Sequence, residues 1–341
     1  MIMGNTPVER QSNIELLRIV SMAAIVMLHI GAASVGLPEP KGNLQAVTLR
    51  DVWVLVVEAF SIIGVNCFAL ISGYFGIKAR RDSFARLTLL CVVYAVGIYT
   101  LLAAFGLVPW SWVSWVQSWM VYSHTDLWYV PAYLGVFLLS PLLNHTDFNK
   151  WMLAAFVAFN VWCGWLWHGS FNPTGYTVMQ LVMMYLIGRY IRNNIDIATR
   201  RKRVRCLAAA AYLVCTALIV VMALFTDSLF AYAYNSPLVL CSSVSLFMFF
   251  ASLEFRSRIV NRLAAAAFAV YLVHKNPYIF GGILKPLSRQ MWETTGLVGY
   301  TLWFIAFTVA IYLVIFAIDS ARAALLSQLA TAFHRLRGQK A

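Results

Sequence analysis

Arg18 and His29 stand eleven residues apart in a stretch that is otherwise almost wholly apolar, with Ile25-Val26-Met27-Leu28 leading directly into the histidine. On a helix, eleven steps of 100° return to within about 20° of the starting direction and climb roughly 16 Å. Both side chains therefore lie on one face. An arginine grips phosphate through paired, charge-assisted hydrogen bonds, and an imidazole titrates near neutrality and suits general-base work. Ionisable groups inside an apolar span are costly and mark a pathway or a site, so this face could carry a line of chemistry across a membrane. Glu15 lies three residues before Arg18 and can offset its charge. Two plainer readings stand beside this one: a snorkelling anchor for Arg18 and a structural histidine bonded to another helix for His29.

Three other segments supply polar residues that could complete a site. The second apolar run contains Glu58 and Asn66 and ends in Ile71-Ser72-Gly73-Tyr74-Phe75-Gly76, where the glycines permit close backbone approach. Lys78, Arg80, Arg81 and Arg86 follow at once. They could hold a phosphate-bearing ligand, although topology alone also accounts for Lys78 to Arg81. A fourth run opens with Asp126-Leu127-Trp128-Tyr129-Val130-Pro131. A ninth contains Tyr271-Leu272-Val273-His274-Lys275-Asn276-Pro277, and its His274 and Asn276 offer a second wall. No phosphate-binding loop, dinucleotide fingerprint, HExxH or nucleophile elbow occurs at a meaningful position. The six cysteines form no CxxC pair, so neither a metal centre nor a disulfide framework is expected.

The elements that must position these residues are membrane helices. The 341 residues are 61% hydrophobic and 11% charged, against roughly 45–50% and about 25% in soluble domains. Too few charges are present to coat a globule of this length, which excludes soluble enzymes, disordered chains and nucleic-acid-binding domains. A hydrocarbon core of about 30 Å needs roughly 20 apolar residues per helix. Ten segments meet or approach that length, near 14–36, 52–76, 86–108, 126–143, 150–168, 176–192, 205–225, 236–253, 263–284 and 298–318. None alternates with period two, so a strand reading fails.

With the N-terminus in the cytoplasm, 21 of the 26 basic residues fall inside and 5 outside, as the positive-inside rule requires. The run Arg200-Arg201-Lys202-Arg203 with Arg205 belongs to an inside loop, where it also meets anionic lipid. Trp110 to Tyr122, with four tryptophans, reads as an aromatic belt at the membrane surface. The expectation is an all-α, polytopic integral membrane protein of about ten transmembrane helices with both termini cytoplasmic. It forms one domain over 1–341, with a core at 10–320 and a cytoplasmic tail at 321–341. One rival concerns the N-terminus: basic residues, an apolar run and Gly31-Ala32-Ala33-Ser34 resemble a cleavable signal peptide.

Four motifs in chain order carry a resemblance. They are Asn13-Ile14-Glu15-Leu16-Leu17-Arg18-Ile19 with His29, and Ile71-Ser72-Gly73-Tyr74-Phe75. Leu127-Trp128-Tyr129-Val130 with Ser140-Pro141-Leu142-Leu143-Asn144 is the third, and Tyr271-Leu272-Val273-His274 the fourth. Together they resemble the acyltransferase-3 family, bacterial integral-membrane enzymes that acylate surface carbohydrates, over about residues 10 to 318.

The resemblance implies an acyl-CoA donor, acetyl-CoA above all, reached from the cytoplasmic face of the inner membrane. It also implies a glycan or other envelope acceptor near the outer face, with no permanently bound cofactor. It makes His29 the expected base or acyl relay and Arg18 its support. Arg80, Arg81 and Arg86 would bind the coenzyme A phosphates. Glu15, Asn66, Ser72, Tyr74, Trp128, His274 and Asn276 would shape the acceptor site. The rival class is a transporter or flippase of lipid-linked glycans, which inverted repeats or helices broken near the midplane would favour; the sequence shows neither clearly.

Overall fold

The computed structural model describes residues 10–123, 127–146, 149–167, 169 and 171–338. The chain is all-helical, 78% helix, and no strand occurs among the described residues. In chain order the main helices are Ser12–Ile30 (α1), Leu49–Ser61 (α2), Gly64–Phe75 (α3), Arg81–Ala104 (α4), Trp112–Trp119 (α5), Tyr129–His145 (α6) and Lys150–Asn160 (α7). Val178–Asn194 (α8), Arg201–Phe225 (α9), Pro237–Ala251 (α10), Arg258–Ala265 (α11), Ala267–His274 (α12), Lys285–Thr294 (α13) and Leu297–Gly338 (α14) follow. Each of the ten apolar segments overlaps one of these helices or a consecutive group of them. Five stretches are long and apolar enough to cross a membrane: Ser12–Val35, Leu49–Phe75, Arg81–Ala104, Arg201–Phe225 and Leu297–Leu329. Lys150–Leu166 and Pro237–Ala251 are apolar but shorter. Asp126 and Lys340 lie outside the described residues.

α1 is the axis of the fold. Ile14, Leu17, Met22, Val26 and Ile30 are at most 2% exposed, and α1 packs on α2, α3, α10, α11, α12 and α14. Its N-terminal end is tied to the chain after α10, where the Asn13 amide donates to the Leu253 carbonyl at 2.9 Å and the Ser257 N–H to the Ser12 hydroxyl at 2.9 Å. Cleavage after Gly31-Ala32-Ala33-Ser34 would remove the centre of the core, so the signal-peptide reading does not fit this packing.

Three features depart from the simple spans. The second segment is broken between α2 and α3. The break has no proline; it sits beside Gly64, where a Cβ would lie 2.6 Å from the Ser21 carbonyl of α1. The ninth is broken into α11, α12 and a short turn, Pro277–Ile279. Broken helices therefore exist here, although the residue pattern did not show them. The last helix does not stop near 318 but continues to Gly338. The stretch from Asp319 to Arg337 holds neither proline nor glycine, so nothing in it ends a helix. Asp319 accepts hydrogen bonds from the Tyr94 hydroxyl at 2.7 Å and Arg322 Nε at 2.8 Å, tying the helix to α4.

Candidate active site

The site is built around a histidine pair. His274 sits at the end of α12, is 1% exposed, and its Nδ1 lies 2.6 Å from the Val270 carbonyl. A carbonyl only accepts, so Nδ1 of His274 carries the proton and its Nε2 is left as an acceptor. His29 Nδ1 lies 3.1 Å from that Nε2 and must donate to it. The lone pair of the neutral His29 imidazole is therefore on Nε2. With both rings neutral, one backbone carbonyl sets the tautomers of both in turn and so orients the His29 ring. Phe280 meets the His29 ring edge-on at 5.7 Å, and the Lys275 ammonium packs over Phe280 at 4.5 Å.

His29 lines a cavity of about 390 Å³. Its α1 wall is formed by Arg18, Met22, Ile25, Leu28 and His29, of which Arg18, Met22, Ile25 and His29 are spaced four, three and four residues apart along one stripe. At the Arg18 end the wall includes Ser72 of α3 with Tyr129 and Tyr133 of α6. Glu15 Oε2 holds Arg18 Nη1 at 2.6 Å, which occupies part of the guanidinium and leaves other N–H groups able to bond an anion. Elsewhere on the wall are Ser61, Trp128, Tyr176 and Tyr234. The last three rings pack together at 4.8 to 5.9 Å. The cavity is thus a largely apolar passage with a cation and an imidazole on one stripe and a cluster of aromatic rings on its wall.

The structure brings Arg18, His29, Ser72 and Trp128 to this cavity and sets Glu15 and His274 directly behind its wall. Asn66 does not reach it. Asn66 Nδ2 donates to the Tyr234 carbonyl, and Gln180 Nε2 donates to both Asn66 Oδ1 and that carbonyl, all at 2.9 Å. Asn172 extends this buried amide network to Gln180, Asn160 and Thr177. Its effect is to hold the Tyr234 backbone, so Asn66 shapes the site from a distance.

Asn276 caps the turn Pro277–Ile279 by accepting from the Tyr278 N–H at 3.1 Å. Tyr74 lines a different, polar cavity, where Arg192 lies over its ring at 5.1 Å. Arg80, Arg81 and Arg86 are exposed and line neither cavity. Glu58 is 6% exposed and its Oε2 has no hydrogen-bond partner among the described residues. The residues that spacing missed are Tyr133, Tyr176, Tyr234 and Ser61. Only the i, i+4 pair Tyr129 and Tyr133 left a local signal, since a buried phenol in an apolar helix needs a polar partner.

A family model described as an acyltransferase domain, that of the acyltransferase-3 family, matches residues 11–320. No curated protein and no solved structure matches.

Proposed function

The chain belongs to the acyltransferase-3 family and is a multi-pass membrane acyltransferase; from that premise we propose that it transfers an acetyl group from cytoplasmic acetyl-CoA to a hydroxyl of a cell-envelope or exported glycan. In this reading it crosses the bacterial inner membrane about ten times with both termini in the cytoplasm. The observation that carries the proposal is the tautomer-fixed His29–His274 pair, placed along one stripe of a passage that also carries Arg18.

The donor extends from the Arg18 end with its thioester towards His29. Arg80, Arg81 and Arg86 are one candidate cradle for its phosphates. The acceptor approaches along the aromatic wall of Trp128, Tyr176 and Tyr234, with its hydroxyl within reach of His29 Nε2. Nε2 takes the hydroxyl proton, the oxygen attacks the thioester carbonyl carbon, and the carbon–sulfur bond breaks. The departing thiolate takes the proton from the imidazolium, giving the ester and coenzyme A. While the imidazolium exists, its Nδ1–H remains bonded to His274 Nε2, which keeps the ring aimed.

General-base assistance is worth about 10²–10⁴-fold, so His29→Ala is expected to lower kcat by that factor while the protein still inserts. The assay is release of the coenzyme A thiol by the purified protein in proteoliposomes with envelope glycan as acceptor. Wild-type turnover in His29→Ala would defeat the assignment. No thiol release by the wild type with any acceptor would instead favour non-catalytic glycan transport.

A further inference from the structure

A second cavity of about 490 Å³ meets the first at Arg10, which lines both. Four separate chain segments close around it: the start of α1, the end of α3 at Tyr74, the end of α8 with the loop after it, and the loop after α10. Its lining includes Arg10, Arg192, Arg201 and Arg256 with Asp196 and Glu254, so among the described residues four arginines stand against two carboxylates. Both acids are engaged: Glu254 pairs with Arg201, and Asp196 accepts from the Thr199 N–H and hydroxyl.

A second feature adds to the positive field. α1 begins here with Gln11 at its N-cap position and no side-chain cap. The positive end of its dipole faces the cavity that Gln11, Ser12 and Asn13 line, and such an end favours anions. The Tyr74 ring, held by Arg192 through its hydroxyl at 3.2 Å, adds a flat surface.

The distances select the ligand. From Arg18 to His29 the helix climbs about 16 Å. The arm of coenzyme A between diphosphate and sulfur has about thirteen bonds, about 15 Å when extended at the rise of an extended chain. With the thioester at His29, the diphosphate comes level with Arg18, and the adenosine with its 3′-phosphate extends beyond it, where two cavities adjoin the first: one past Ser72, whose only further cation among the described residues is Lys78, and one past Arg10, lined by four arginines.

Resting on the acetyl-CoA reading above, we propose that this second cavity is the 3′-phosphoadenosine subsite of the donor, with Arg192 and Arg256 contributing its phosphate contacts. In this arrangement Arg80, Arg81 and Arg86, which line neither cavity, do not hold the 3′-phosphate. α1 then serves the whole donor: phosphate at its N-terminal end, diphosphate at Arg18 and thioester at His29.

The test uses the full chain in nanodiscs with three probes: acetyl-CoA, its dephospho analogue lacking the 3′-phosphate, and adenosine 3′,5′-bisphosphate. Arg192→Gln and Arg256→Gln are each expected to raise KM for acetyl-CoA about tenfold or more, the scale of one lost charge-assisted contact, with kcat within about twofold. Each is also expected to erase the preference for acetyl-CoA over the dephospho analogue and to weaken bisphosphate binding by the same factor. A bisphosphate affinity that survives both substitutions overturns the subsite. So does loss of affinity only in the Arg80/Arg81/Arg86→Gln triple variant, or no binding to the wild type. Bisphosphate binding is read without turnover: a protein that binds it through Arg192 and Arg256 but releases no thiol would refute the acyl-transfer reading and leave the subsite standing.

Discussion

At the scale of the residue, the proposed chemistry depends on which nitrogen of His29 holds its proton, and in the neutral pair that is decided by a carbonyl on another helix. Removing His274 would leave the His29 ring free to rotate and to change tautomer. His274→Ala is expected to lower kcat about 10–100-fold, the range seen when an orienting partner behind a working histidine is lost, with KM for acetyl-CoA nearly unchanged. His274→Gln, which can still present an amide oxygen to His29 Nδ1–H, is expected to restore part of the rate. Equal loss in both variants with a matching fall in thermal stability would mean that His274 is only a core residue. The spacing of Arg18 and His29 was legible in the sequence because an i, i+11 relation is a property of one helix. The pairing of His29 with His274 was not, since 245 residues separate them and no local pattern records a contact across that distance. The same holds for Asn66, whose partners Gln180 and Tyr234 arrive from two other segments.

At the scale of the element, α3, which lines the passage, is held from behind by α8, and the two approach through glycine. α3 and α8 pack closely where a Cβ on Gly73 would overlap the Tyr185 carbonyl and one on Gly188 would overlap that of Leu70. Without a solvent-driven hydrophobic force between helices, such small-residue contacts are the main source of association in lipid. Gly188→Val is expected to destabilise the protein by about 1–3 kcal/mol or more, the cost of overpacking, and to lower its melting temperature in detergent. Gly97 of α4 is the contrast: nothing stands within 4 Å of its Cβ position, so Gly97→Ala should stabilise the helix by about 0.5–1 kcal/mol. Equal behaviour of the two variants would sink the close-approach argument. Helix existence was legible from apolar run length. Breaks and ends were less so: the α2–α3 break answers to Ser21 on a neighbouring helix, and the tail helix continues because no residue stops it.

At the scale of the whole molecule, the +13 net charge distinguishes the two ends of the passage. The basic segments at Arg10, Arg192, Arg200 to Arg205 and Arg256 converge around the second cavity or close to it, while His29 lies one helix length away. If the charge excess is inside, the proposed donor pocket opens to the cytoplasm, where acyl-CoA is found, and the histidine lies towards the proposed acceptor side. The protein's own cysteines can test this. Cys67 and Cys91 are buried, Cys163 and Cys215 half-buried, and Cys206 and Cys241 exposed. Cys206 follows the Arg200 to Arg205 run directly, whereas Cys241 lies within the apolar helix α10. In a Cys241→Ser background, a membrane-impermeant maleimide is expected to leave intact cells unlabelled and to label Cys206 in inverted vesicles. Labelling in intact cells would place the arginine-lined cavity outside, where no acyl-CoA could reach it. The topology and the direction of the donor would then fail together, because both rest on the same distribution of arginines.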